Sequence, residues 1–133
     1  MKKIVITIDG PAASGKGEIA KYISKKWNFK HLDSGTLYRS LALILLENKI
    51  NIDNKNEIKN FVKKQKSISY TKNKILRSEK ISKMASKIAI HEFVRDFINK
   101  FQRKFVNTNL INHRFVIDGR DIGSVVFKNA NLK

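Results

Sequence analysis

Cysteine is absent from the 133-residue chain, so no disulfide and no thiolate metal site can form. Proline occurs once, at Pro11, and glycine only six times. No proline- or glycine-rich linker divides the chain, and no internal repeat or low-complexity segment interrupts it. Long hydrophobic runs are also missing. Ile4 to Ile8 is five residues and ends at Asp9, and Leu41 to Leu46 is six. A membrane helix needs about 20 apolar residues, and an export signal needs a longer stretch than these. The expectation is a cytoplasmic protein without membrane contact. The three histidines, His31, His91 and His113, are scattered without ligand spacing, so no structural metal site is expected.

Acidic residues are scarce: 11 Asp and Glu stand against 28 Lys and Arg, a formal net charge of +17. Such a balance invites a nucleic-acid partner. The composition argues otherwise. Lysine accounts for 22 of the 28, with 13 Asn and 18 Ile beside it, the combination that an AT-rich genome tends to encode. The lysines are also dispersed along the chain. No specific nucleic-acid surface is expected, only weak nonspecific binding at low salt.

What is present is an α/β pattern. Hydrophobic residues make up 41%, enough for one globular core. Ile4 to Ile8 reads as a buried parallel strand feeding a loop. Lys16 to Trp27 reads as a helix with Ile19, Ala20, Ile23 and Trp27 on its apolar face. Lys30 to Leu32 is a second strand, Asp33-Ser34-Gly35 a turn, and Thr36 to Asn48 a helix with a Leu37, Leu41, Ile44, Leu45 stripe. Asn51 to Gln65 is a polar helix opened by Asp53. Ile68, Tyr70 and Ile75 suggest a small hairpin around residues 72–74. From Ser78 the pattern is helical, with a break near His91 and a core stripe of Phe93, Phe97, Phe101 and Phe105. Phe115 to Ile117 is a third buried strand. Asp9, Asp33 and Asp118 then fall at strand ends, the edge where ligands bind in such sheets. Asp33 itself reads as a turn-former.

Gly10-Pro11-Ala12-Ala13-Ser14-Gly15-Lys16 matches the spacing G-x-x-x-x-G-K. Glycines at its ends let backbone N–H groups curl around phosphates, and the following helix adds the positive end of its dipole. Lys16 supplies a mobile point charge. The pattern lies between a strand and a helix, the context it requires. Gly17 and Glu18 follow where a magnesium-binding hydroxyl is usual. Glu18 in a first helical turn is favoured by the dipole by about 0.3–1 kcal/mol. Its carboxylate could also reach magnesium, or repel a polyphosphate.

Two further stretches complete the pattern: LDSGTLYR, Leu32 to Arg39, and DGRDIG, Asp118 to Gly123. Together with GPAASGKG, and in this order, they resemble the bacterial cytidylate kinases of the nucleoside monophosphate kinase group. The resemblance covers essentially the whole chain. It implies a P-loop α/β fold, a parallel sheet flanked by helices with a mostly helical insert. Residues 1–133 would form one kinase domain, incomplete at the C-terminus, with about 50–105 as the monophosphate-binding insert. It implies transfer of the γ-phosphoryl group of ATP, with Mg2+, to CMP or dCMP by a protein expected to be monomeric when complete. Gly10 to Glu18 would bind the donor nucleotide, and Lys16 and Arg120 would be catalytic. Ser34, Tyr38, Arg39, Ser86, Arg95, Arg120 and Asp121 would bind the acceptor.

The side chains agree with those roles. Cytosine offers an amino donor beside two acceptors, which Asp121 could meet by accepting and Arg95 and Ser86 by donating. Uracil reverses two of these polarities. Arg39 and Arg120 have the planar fork that grips phosphate. Four of only six arginines, Arg39, Arg95, Arg103 and Arg120, lie in or beside the matching stretches. Without the resemblance, Asp121 and Arg95 read as surface charges and Ser86 as a solvated helix face. A kinase for another monophosphate and a non-catalytic basic nucleotide-binding module are the alternatives. The resemblance also implies that a lid and a last strand lie beyond Lys133. Leu132 would then begin a neighbour of the third strand, and the chain alone would be marginally stable with an open sheet edge. If the carboxylate repels the donor, Glu18→Thr should tighten Mg-ATP binding by about 1 kcal/mol. Calorimetric titration of the two proteins checks this, and weaker binding in the variant would make Glu18 a metal ligand.

Overall fold

In the computed structural model, residues 2–11, 14–65, 68 and 74–133 are described. They divide into two compact units, residues 1–34 with 102–133 and residues 35–101. Strand β1 is Ile4–Asp9, helix α1 Lys16–Trp27 and strand β2 Lys30–Asp33. Helices α2, Ser34–Glu47, and α3, Lys55–Lys64, follow, then a 3₁₀ turn at Lys74–Arg77. Helices α4, Glu79–Ile88, and α5, Glu92–Asn107, lead to strand β3, Arg114–Gly119, and a π-type turn at Ile122–Val126.

The first unit holds a parallel sheet in the order β1-β3-β2. Strand β3 is therefore central, and it is buried continuously from Phe115 to Gly119. Its Phe-Val-Ile run has the apolar, β-branched character of a strand covered on both faces. Both of its neighbours come from within the chain, with Thr7 and Leu32 flanking Ile117 in register. This corrects the expectation for Leu132, which pairs with Ile6 on the far side of β1 rather than with β3. The Thr7 N–H donates to the Leu132 carbonyl at 2.9 Å, and the Val5 N–H donates to the Asn131 side chain at 2.9 Å. Residues 131 and 132 thus pair with the middle of the outer edge of β1, at Val5 to Thr7.

Helix α1 ends where its sequence says it should. Asn28 takes the left-handed conformation at φ 57°, Ser24 accepts the capping N–H, and Lys25 and Lys26 complement the dipole. Its buried face is narrower than expected. Ala20 is fully buried, but Ile19 and Trp27 are about half exposed. Trp27 instead meets Tyr22 edge-on at 6.0 Å, with Lys26 Nζ 4.9 Å from the Trp27 ring centre.

The second unit is helical. The α2 stripe is Leu37, Leu41, Ala42 and Leu45, all without exposure. Asn54, not Asp53, caps α3, accepting the Glu57 N–H at 3.1 Å. Asp53 instead pairs with Lys87 at 2.6 Å, an exposed contact worth little. Ser78 caps α4, and Ile81, Met84, Ala85 and Ile88 form its buried stripe at helical spacing. The turn of the expected hairpin lies outside the described residues. Its described end, Lys74–Arg77, is a 3₁₀ turn rather than a strand.

Helix α5, which runs through the boundary of the two units, shifts the expected stripe by one residue. Val94, Ile98, Gln102 and Val106 are buried, while Phe93, Phe97, Phe101 and Phe105 are half-buried beside them. Phe105 still packs edge-on against Phe115 at 6.0 Å. Gln102 is completely buried, and neither side-chain amide atom has a partner among the described residues. An unpaired buried amide forfeits its hydration without replacing it. Gln102→Met, similar in length and apolar, should therefore raise stability by about 1 kcal/mol. A higher urea midpoint at unchanged slope would confirm it, and a lower midpoint would show that the amide is bonded.

Candidate functional site

The first unit builds its site at the carboxyl ends of the strands. All three strands run the same way, so Asp9, Asp33 and Asp118 end at one edge, with Asp9 in register with Gly119 and Asp33 with Asp118. Chain leaving β1 reaches Gly10, whose N–H donates to the Gly119 carbonyl at 3.1 Å. The loop closes at Gly15, which takes φ 87°, a conformation that a side chain would strain. Gly15 is the N-cap of α1 and, having no side chain, offers the first N–H groups of the helix no capping acceptor. Lys16 is the first residue of α1, and Gly17 and the exposed Glu18 complete its first turn. Pro11 and Ser14 are exposed, and Ala12 and Ala13 lie outside the described residues.

Lys16 reaches the end of β3. Its Nζ lies 3.1 Å from Asp118 Oδ2, and the other oxygen, Oδ1, bonds to His31 Nε2. The Asp118 side chain is 1% exposed. Burial alone would push its carboxyl up. The bonds and charges of His31, and then of Lys16, outweigh this and hold it below its ordinary value of 3.8.

Asp9 serves the turn after β3. Its two oxygens accept the N–H groups of Ile122 at 2.5 Å and Gly123 at 3.0 Å. This fixes the DGRDIG segment to β1. Within it, Arg120 and Asp121 are exposed, and Asp121 is left-handed at φ 56°. Arg103 closes the far end of the same turn, donating to the carbonyls of Val126 at 3.1 Å and Val125 at 3.2 Å. Ser34, buried at the start of α2, lies against Gly119 so closely that an added Cβ there would sit 2.7 Å from the Ser34 Cβ.

The second unit carries the other expected residues. Tyr38 and Arg39 lie in the early turns of α2, where the Arg39 guanidinium donates to Thr36 Oγ1 at 3.0 Å. Burial pushes the Tyr38 phenol above its usual value; the Arg95 charge opposes the rise and Asp96 adds to it. Arg95 caps the end of α4, donating to the carbonyls of Ala89 at 2.9 Å and Ile90 at 2.6 Å. Ser86 lines a shallow groove on α4 with Ser82, Lys83 and Ile90.

The structure thus joins Lys16 to Asp118 and His31, Asp9 to the DGRDIG turn, and Ser34 to Gly119. His31 and the roles of Asp9 and Asp118 escaped the sequence reading. The signal was strand register: His31 lies two residues before Asp33 on the same face of β2, and Asp33 pairs with Asp118.

Comparison with known proteins bears on the same residues. A sequence model of the family described as "Cytidylate kinase" matches residues 6–133. A cytidylate kinase of Fusobacterium nucleatum subsp. nucleatum is 42% identical over 142 residues, covering 100% of this chain and 63% of that relative. One of Bartonella quintana is 40% identical over 133 residues, covering 100% and 60%. A bifunctional pantoate ligase/cytidylate kinase of Prochlorococcus marinus is 37% identical over 146 residues, covering 99% and 28%. The chain therefore spans about three fifths of the length of the Fusobacterium and Bartonella relatives.

Among the described residues no helix is long and apolar enough to cross a membrane, and no three His, Cys, Asp or Glu side chains form a metal-binding group. The Asp118 ion pairs give a pH prediction. A carboxyl whose folded value is lowered stabilises above its unfolded value, and that contribution is lost as pH falls through the folded value. Asp118→Asn should therefore cost about 3 kcal/mol at pH 7. The gap from the parent should begin to narrow below about pH 4 and shrink further as pH falls. Urea unfolding of both proteins at pH 7 and pH 3 measures it, and a gap that does not change with pH would contradict the assignment.

Proposed function

Because the chain belongs to the cytidylate kinase family, we propose that it takes part in transfer of the γ-phosphoryl group of ATP to CMP or dCMP. The observation that carries this reading is the Ile4–Trp27 strand, loop and helix, with Lys16 at the helix start bonded to Asp118 near the end of the parallel strand β3. On this reading a CMP phosphate oxygen attacks the γ-phosphorus, the bond to the β,γ-bridging oxygen breaks, and ADP and CDP result. The reaction needs alignment and charge neutralisation more than covalent chemistry from the protein.

Each residue has a place in this reading. Backbone N–H groups of the loop after Pro11 and of the first turn of α1 cradle the donor phosphates, and Lys16 draws on their β- and γ-oxygens. Arg39 and Arg120 take the acceptor phosphate bidentately. Asp121 accepts from the cytosine amino group, Arg95 and Ser86 donate to its acceptors, and Tyr38 and Ser34 line the nucleotide. Both nucleotides are cytoplasmic metabolites, which places the reaction there.

Magnesium fits this site only as an ion carried by the nucleotide. The oxygens of Asp9 and Asp118 already accept bonds from the protein. Magnesium commonly takes one or two carboxylates besides phosphate oxygens and water. Exposed Glu18, in the first turn of α1, would be a carboxylate available to it, and the Glu18→Thr titration separates ligation from repulsion. When bound, the ion would neutralise charge on the β- and γ-phosphates.

Calorimetry should find CMP and dCMP bound at least about tenfold more tightly than UMP, since a mismatched base leaves polar groups unpaired. AMP should bind no better than UMP, and Lys16→Ala should leave CMP affinity nearly unchanged. Equal affinity for CMP and UMP would remove Asp121, Arg95 and Ser86 from base recognition.

A further inference from the structure

We propose that His31 is a positioning residue, holding the Asp118 carboxylate in place and hydrogen-bonded when Lys16 turns from it to a bound phosphate chain. The proposal rests on the phosphate-loop reading and adds a residue that the three motifs do not contain.

The geometry divides Asp118 between two partners of different mobility. Lys16 holds Oδ2 from the start of α1 at 3.1 Å, with its side chain 20% exposed. His31 holds Oδ1 with its side chain 8% exposed. Lys16 has a flexible stem and can swing toward the loop. His31 cannot follow it. Its ring is carried on β2, which is locked to β3 by the pairs Leu32 with Ile117 and Asp33 with Asp118.

An anion in the loop therefore competes with Asp118 for one ammonium group. If Lys16 were the only partner, its departure would leave a buried carboxylate uncompensated, which is costly. Asp118 would then oppose phosphate binding. With His31 on the other oxygen, the carboxylate stays bonded and oriented while Lys16 serves the phosphate. Removal of His31 should tighten the hold of Asp118 on Lys16 and weaken phosphate binding for that reason alone.

The test is a double-mutant cycle on the 133-residue chain, with sodium tripolyphosphate and ATP as probes in calorimetry. His31→Phe should weaken tripolyphosphate binding by about tenfold, the effect of losing a hydrogen bond to a charged group. His31→Gln, which keeps an N–H donor, should recover most of the affinity. In an Asp118→Asn background, His31→Phe should change affinity by less than about twofold, because the carboxylate to be held is gone. An equal loss in both backgrounds would overturn the proposal and mark His31 as packing only, and no loss in either would overturn it too. In both cases the phosphate-loop reading survives. If the parent chain binds neither probe, that reading fails and takes the proposal with it. Circular dichroism reports whether each variant folds. Should His31→Phe unfold, nitrogen NMR of the parent decides. The His31 Nε2 signal should remain that of a hydrogen-bonded nitrogen at saturating tripolyphosphate, and loss of that signature would overturn the proposal.

Discussion

Asp118 is a carboxylate placed where water cannot reach it, at the end of the central strand. An isolated charge there would be untenable, so the surrounding chain must supply compensation. It does so from two directions, through Lys16 of α1 and His31 of β2. One buried charge therefore fixes three elements that are far apart in sequence. The loop between β1 and α1 is shaped by Gly10 and Gly15, but the position of its lysine is set by Asp118.

A second carboxylate repeats the principle with different partners. Asp9 uses main-chain N–H groups instead of side chains, and so holds the turn after β3 against the end of β1. The two aspartates lie at the ends of adjacent parallel strands, where β1 and β3 pair from Ile4 with Arg114 to Asp9 with Gly119. Register, more than any single side chain, brings the family motifs to one edge. The large positive charge of the chain has no visible part in this arrangement, because most lysines lie on exposed helical surface.

Much of this was legible in the sequence, for identifiable reasons. Ile4–Asp9 and Arg114–Gly119 are continuous apolar runs ending in aspartate, and no helix reading competes with so short a β-branched segment. Ser78 and the break at His91 bound α4 and α5 because capping chemistry is local. The failures were of another kind. The Phe93, Phe97, Phe101, Phe105 row shares the inward half of α5 with Val94, Ile98, Gln102 and Val106, and composition favoured the larger residues. Nothing local says that Gln102 is interior. His31 looked isolated because its partner is 87 residues away. The bonds of Arg95 to the end of α4 were not legible either, because they depend on a helix break whose geometry the sequence does not specify.

The close approach at Gly119 bears on how this segment tolerates change. A methyl group there would meet Ser34 at 2.7 Å, and one at Gly123 would meet Thr7 Oγ1 at 2.7 Å. Both positions are closed to larger residues by folding alone. Arg120, between them in sequence, is exposed and meets no such limit. Selection in this stretch is thus of two separable kinds. Constraint at 119 and 123 records how tightly the strand ends are packed, whereas constraint at 120 can record only what that packing is there to present.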